Sequence, residues 1–145
     1  MSNNKFKQDA IQGEIAEKRL QSLAESIDWT AVKVPDWYGW DLTLTRPGGK
    51  RHKIEVKWAN DLKHEYNFAL EVTNANDDKN FMMKNIDKID YIAYLSASRD
   101  VWYLYPSDYI KTFTKKYYHT RRLNKHSTAH CLLLPKDEAS MTFKA

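Results

Sequence analysis

Hydrophobic and polar residues alternate along two short stretches, Asp41-Leu42-Thr43-Leu44-Thr45 and His52-Lys53-Ile54-Glu55-Val56-Lys57, which flank the turn residues Pro47-Gly48-Gly49-Lys50. Period-two alternation on both sides of such a turn predicts a β-hairpin. Folding the chain about the turn sets Asp41 roughly opposite Glu55. Successive strand side chains point to opposite faces, so Leu42, Leu44, Ile54 and Val56 share one face, and Asp41, Thr43, Glu55 and Lys57 share the other. Two carboxylates and an ammonium therefore meet on one patch.

Elsewhere the period changes. From Gln8 to Ile27 the residues Ala16, Leu20, Leu23, Ala24 and Ile27 fall on one stripe at helical spacing, with Ile11 and Ile15 off it, which predicts a first helix. Trp29 to Val34 reads as a strand ended by Pro35-Asp36, and the aromatic loop Trp37-Tyr38-Gly39-Trp40 leads into the hairpin. A further strand is expected at Asn67 to Val72. Capping candidates at positions 74 to 78 precede a short second helix, Lys79 to Lys88. Strands at Tyr91 to Leu95 and Val101 to Tyr105 flank a turn, and Pro106-Ser107-Asp108 opens a third helix, Tyr109 to Tyr118. Cys131 to Leu134 reads as a last inner strand and Met141 to Phe143 as an edge strand. The order is mixed α/β rather than a regular βαβ array.

Composition narrows the class. At 145 residues, with 29% charged and 42% hydrophobic residues, the chain fits one domain spanning 1–145. It has no long apolar run to cross a membrane. The polar start and the single Cys131 favour a reduced, cytoplasmic setting and exclude a disulfide framework or thiolate zinc site. Nucleotide-binding glycine loops are absent, so no nucleotide cofactor is expected, and no nucleophile elbow supports Ser-His-Asp hydrolysis. His52, His64, His119, His126 and His130 read as surface residues.

The formal charge of +4 is mild, but its distribution is uneven. No acidic residue lies between Tyr109 and Lys136, whereas Lys111, Lys115, Lys116, Arg121, Arg122 and Lys125 do, interleaved with Tyr117, Tyr118 and His119. Such a segment suits phosphate contact, with rings available for stacking. The plainer alternative is a solvated helix end. Trp37, Tyr38 and Trp40 likewise have two readings: stacking on unpaired bases or, more commonly for aromatics beside a hairpin, core packing.

The acidic patch suggests chemistry. Hydrolysing a phosphodiester needs the phosphate neutralised, water ionised and the leaving oxygen stabilised, and a divalent cation serves all three. Mg²⁺ or Mn²⁺ held by Asp41, Glu55 and the Val56 carbonyl suits these hard oxygen donors. Lys57 could orient or deprotonate water, or stabilise charge on phosphate. Without a cation the two carboxylates repel. Against this, Glu-x-Lys alone is common on any strand with one face to water.

Asp41 with Glu55-Val56-Lys57 resembles the central motif of the PD-(D/E)XK nuclease superfamily. Gly13-Glu14-Ile15-Ala16-Glu17-Lys18-Arg19-Leu20 looks like the helical motif of archaeal-type Holliday junction resolvases, in which a glutamate follows a glycine by four positions. Glu17 is the match, and it borders the apolar stripe, whereas Glu14 turns towards solvent. A literal Pro35-Asp36 lies too far from the hairpin to adjoin Glu55, which leaves Asp41 as the aspartate. Glu71 is a lesser acidic candidate.

The resemblance spans roughly Gln8 to Leu95. It implies a restriction-endonuclease-like αβββαβ core whose mixed central sheet is flanked by helices, with Glu17, Asp41, Glu55 and Lys57 as catalytic residues and Glu17 reaching the metal through water. The implied activity is metal-dependent DNA endonuclease cleavage. Little chain remains for sequence reading, which favours junction or branched DNA, and cutting both strands calls for a homodimer. The alternatives are a non-catalytic nucleic-acid-binding module on a decayed nuclease fold, a sequence-specific restriction or homing-type endonuclease, or a protein-interaction domain.

Overall fold

A computed structural model describes residues 2–59, 66–73, 79–116, 121–122 and 130–145, with side chains over 7–59, 66–73, 79–112 and 131–145. Its frame is a six-stranded mixed sheet flanked by helices. Helix α1 (Ser2–Ser26) precedes strands β1 (Thr30–Lys33), β2 (Leu42–Thr45) and β3 (Arg51–Ala59), which pair as an antiparallel meander. The hairpin forms in the expected register, Leu42 opposite Ile54 and Thr45 opposite Arg51. Its turn closes through Gly49 N–H to the Arg46 carbonyl at 2.8 Å, and Gly49 takes φ +96°, a conformation glycine reaches without a steric penalty.

Strand β3 then pairs in parallel with β5 (Tyr91–Ser96), which forms a hairpin with β6 (Val101–Pro106), and β9 (Met141–Lys144) completes the far edge. The sheet order is β1-β2-β3-β5-β6-β9. A parallel pair needs a crossover, here the segment carrying β4 (Asn67–Glu71) and α2 (Phe81–Lys84). Helix α3 (Ser107–Lys116) follows β6 directly, and β7 (Arg121–Arg122) and β8 (His130–Pro135) join β4 in a second sheet of order β4-β8-β7. No helix among the described residues is long and apolar enough to cross a membrane.

Both faces of the central sheet are covered. On one, Ala16, Leu20 and Ala24 of α1 pack on Leu42, Leu44, Ile54, Val56, Ala93, Leu95 and Trp102. On the other, Phe68, Leu70, Leu132 and Leu134 of the small sheet pack on Ile92, Tyr94, Tyr103 and Tyr105. Phe68 stacks on Tyr94 with centroids 4.4 Å apart and meets Tyr103 edge-on at 5.1 Å. Burying each such ring stabilises the fold by roughly 1.5–3 kcal/mol.

Several expectations are corrected. Ile27 lies beyond the end of α1 and is exposed, since the chain turns there and Asp28 takes a positive φ. Ile11 and Ile15, off the stripe, pack on no loop of the described chain and are exposed. The second helix is split at Asn85 into α2 and a 3₁₀ turn over Ile86–Lys88, and its cap is Asn80, whose side chain accepts from Met83 N–H at 2.9 Å. His52 is buried, not superficial, stacked on Trp29 and edge-on to Tyr91. Trp37 and Tyr38 are exposed rather than core. His64, His119 and His126 lie outside the described residues.

Candidate functional site

The site forms where β2 has just ended while β3 runs on. Asp41 N–H donates to the Ile54 carbonyl at 3.0 Å, extending the ladder one step beyond β2, and Val34 N–H donates to the Asp41 carbonyl at 3.0 Å. Past this point no backbone among the described residues pairs with β3 on the β2 side, and the Asp41 carboxylate takes that place. Its Oδ2 accepts the Val56 N–H at 2.8 Å. A residue in a strand aims its N–H and C=O the same way, so the Val56 carbonyl also opens towards Asp41 rather than β5. Open α/β sheets commonly place ligands outside the carboxyl ends of parallel strands, and β3 with β5 is this sheet's parallel pair.

Glu55 and Lys57 project from the face opposite α1, beside Ile92 and Tyr94. The Lys57 Nζ lies 3.5 Å from Glu55 Oε2, and the Glu55 side chain is only 13% exposed. Burial pushes the Glu55 carboxyl up to about 8, the neighbouring Asp41 carboxylate adds to the rise, and the Lys57 ammonium opposes it. A nearly buried carboxyl next to a second carboxylate is held against its own solvation preference, an arrangement found in functional sites and in structural ion networks alike.

Glu17 reaches the same corner from α1. Its side chain is 16% exposed and pairs with Lys33 Nζ at 3.3 Å, while Glu14 is turned outwards and pairs with Lys18 at 3.6 Å. Burial raises the Glu17 pKa, Asp41 adds to the rise and Lys33 counters it. Lys33 in turn is raised by Glu17. Lys33, Glu17, Asp41, Glu55 and Lys57 thus form one electrostatic network, three repelling carboxylates with an ammonium paired at each end. Sequence reasoning missed Lys33, because its place beside α1 depends on the pairing of β1 with β2. Asp36 adds negative charge near Glu17 and Lys33.

The donor set suits a hard divalent cation, to a point. Asp41 and Glu55 adjoin one another, and the Val56 carbonyl opens on the Asp41 side of β3, a donor set that matches Mg²⁺, an ion that keeps several waters and takes one or two carboxylates. Among the described residues no three His, Cys, Asp or Glu side chains converge into a metal cage. Glu17 is therefore held by Lys33 rather than gathered with the other two. A cleft of about 380 Å³ opens alongside, lined by Asp9, Gln12, Lys57, Trp58, Glu71 and Tyr94. Glu71, at the exposed end of β4, faces this cleft rather than completing the acidic pair.

The basic segment divides. Lys115 and Lys116 close α3 and Arg121 and Arg122 form β7, with their side chains outside the described set, and Tyr117 and Lys125 lie outside the described residues altogether.

No family model matches the chain, and no curated protein matches it. Among solved structures, the chain is similar to the bacterial homing endonuclease I-Ssp6803I, with a TM-score of 0.54 and 19% sequence identity, over 68% of this chain and 69% of that one. The likeness is one of fold, a mixed α/β architecture with helices on a mixed central sheet.

Proposed function

We propose that the protein is a metal-dependent DNA endonuclease of the PD-(D/E)XK type, hydrolysing phosphodiester bonds at the Asp41–Glu55–Lys57 corner. The observation that carries this reading is the nearly buried Glu55 carboxyl, set beside a second carboxylate with an amine 3.5 Å away. The similar fold of a homing endonuclease supports it.

Asp41, Glu55 and the Val56 carbonyl would hold Mg²⁺ or Mn²⁺, with Glu17 joining through water. When bound, the cation would neutralise charge on the phosphate and ease ionisation of the attacking water. Asp41, braced by the Val56 N–H, would fix the position of the ion relative to β3. Lys57 would orient the water or stabilise the negative charge that builds on the phosphoryl oxygens. Water oxygen bonds to phosphorus, the bond to the leaving oxygen breaks, and a proton passes to that oxygen. The Lys115, Lys116, Tyr117, Arg121, Arg122 and Lys125 segment would contact the backbone of the nucleic acid, and a second copy of the chain would supply the cut on the other strand.

Structure-selective cleavage of junction or branched DNA is the first reading of the substrate. The fold likeness favours a second reading, a sequence-specific homing-type enzyme. Incubation with plasmid and with four-way junctions of unrelated sequence, in Mg²⁺ or EDTA, tests both. Metal-dependent cutting of all junctions supports the first, and cutting at one duplex sequence alone supports the second. No metal-dependent cleavage, or equal cleavage by Asp41→Asn and Lys57→Ala, defeats the enzyme and leaves a binding module.

A further inference from the structure

Immediately before Asp41 the chain holds three aromatic rings in a fixed loop. Trp37 is 75% exposed and Tyr38 46% exposed, unusual for side chains of this size. Trp37 meets Tyr38 with centroids 6.0 Å apart at 67°, and Tyr38 meets Trp40 at 5.7 Å and 63°. The ladder is braced at its base. Trp40 Nε1 donates to the Thr43 hydroxyl at 2.9 Å, and Lys53 Nζ lies 4.8 Å from the Trp40 ring centre. Tyr38 N–H donates to the Pro35 carbonyl at 3.0 Å. Gly39 takes φ +104° against Asn85, whose side-chain carbon would lie 2.8 Å from an added Cβ, so the loop is clamped to the end of α2.

Rings that serve a core are buried, and rings on a mobile loop lose ordering entropy when they bind. This ladder is neither, since its upper rings face water on an ordered base, which is how a stacking platform is preorganised. Its position selects the occupant. Trp40 precedes Asp41 and packs on Thr43 and Lys53, which share the sheet face of Glu55, so the ladder rises on the same face as the corner where a phosphate would be held. Carboxylates crowd this corner, from Asp36 to Asp41, and they disfavour a second phosphate but not a neutral ring. We infer that Trp37 and Tyr38 stack on an unpaired nucleobase adjoining the scissile phosphate, which makes them specificity-determining residues for DNA with a bulge or an open junction. The inference rests on the nuclease reading for its geometry but is read by binding alone.

The test uses duplexes with and without one unpaired 2-aminopurine, titrated with Ca²⁺ in place of Mg²⁺, so that an oxygen-ligand cation can fill the corner, and read within the time before any product forms. Wild type is expected to bind the bulged duplex about tenfold more tightly than the perfect one, with a change in 2-aminopurine emission as the base stacks. Trp37→Ala loses that preference and the emission change, and Trp37→Phe keeps most of both. Because Trp37 is exposed, the thermal midpoint of Trp37→Ala should match wild type, which separates lost stacking from lost folding. A preference unchanged in Trp37→Ala, no preference in wild type, or no binding to either probe overturns the inference. So does a shift of Trp37→Ala from dimer to monomer in sedimentation with the preference intact, which would give the ladder to a second copy of the chain. Metal-dependent cleavage in parallel reactions reports on the nuclease reading separately: cutting that persists without any bulge preference sinks the ladder alone, and a bulge preference without cutting sinks the nuclease alone.

Discussion

Glu55 lies beside Ile92 and Lys57 beside Tyr94, on one face of one sheet, across a single pair of strands. The β5–β6 side is apolar, with Ile92 and Tyr105 fully buried and Tyr94 stacked against Phe68. The β3 side turns a carboxyl and an ammonium towards the same layer. Burial stabilises the first arrangement and opposes the second, since a buried ion pair at best offsets its own desolvation. A sheet shaped by stability alone would continue the apolar surface across β3. The fold thus tolerates a local cost at Glu55 that its neighbouring strand does not carry, and the proposed metal chemistry would account for that difference.

The largest expected effect breaks the two halves apart. Glu55→Gln and Asp41→Asn should each lower metal-dependent cleavage at least about 100-fold. Glu55→Gln should leave stability unchanged at about pH 5 and raise it towards about pH 8 and above, where the carboxyl it replaces would carry a charge that burial penalises. Phe68→Ala, on the apolar side, should instead lower stability by about 3–5 kcal/mol. Plasmid nicking and urea unfolding of the three variants decide the matter. Should Glu55→Gln unfold as readily as Phe68→Ala, the polar half is structural and the contrast dissolves.

The apolar and polar halves were not equally legible. The Asp41–Glu55 register follows from local rules, because a glycine turn and strict alternation leave one way to pair two short strands. The stripe of α1 is likewise local. The small sheet is not, since β4 pairs with β8 across a long stretch of chain, Asn67 with Pro135, and no periodicity in either segment names the partner. The same holds for Lys33, whose partner Glu17 sits on a helix, and for His52, whose alternation with Lys53 and Ile54 assigns it a face but not whether α1 and Trp29 cover that face.

A smaller effect sharpens the contrast through pH. Glu55 titrates at about 8 in the fold and near 4.5 when unfolded, so between those values the folded state binds the extra proton. Stability of the metal-free protein should therefore fall as pH rises from about 5 to 8, by an amount of the order of a few kcal/mol, and the fall should flatten in Glu55→Gln. Adding Mg²⁺ at pH 8 should recover stability in wild type and not in Glu55→Gln, by about 2.7 kcal/mol at a hundredfold excess over Kd. Urea midpoints across this range, with and without Mg²⁺, check both. A flat profile in wild type removes the charge conflict on which the metal reading depends.

The smallest effect comes from the other face of the same strand. His52 is 6% exposed, and its Nε2 finds no partner among the described residues. Burial lowers its pKa from 6.5, helped by the positive charges of Arg46 and Lys50. A group lowered in this way binds its proton more readily when unfolded, so its contribution to stability is present above pH 6.5 and lost as pH falls below it. Glu55 and His52 thus tilt the curve in opposite directions from opposite faces of β3. His52→Phe keeps a ring against Trp29 and Tyr91 and discards the unpaired nitrogen, and it should be neutral at pH 7 and raise stability at pH 5 by less than about 1 kcal/mol. Its response to Mg²⁺ should equal that of wild type. If His52→Phe instead abolished the Mg²⁺ effect, the two faces of β3 would be energetically coupled, and the division between a packing face and a chemical face would have to be given up.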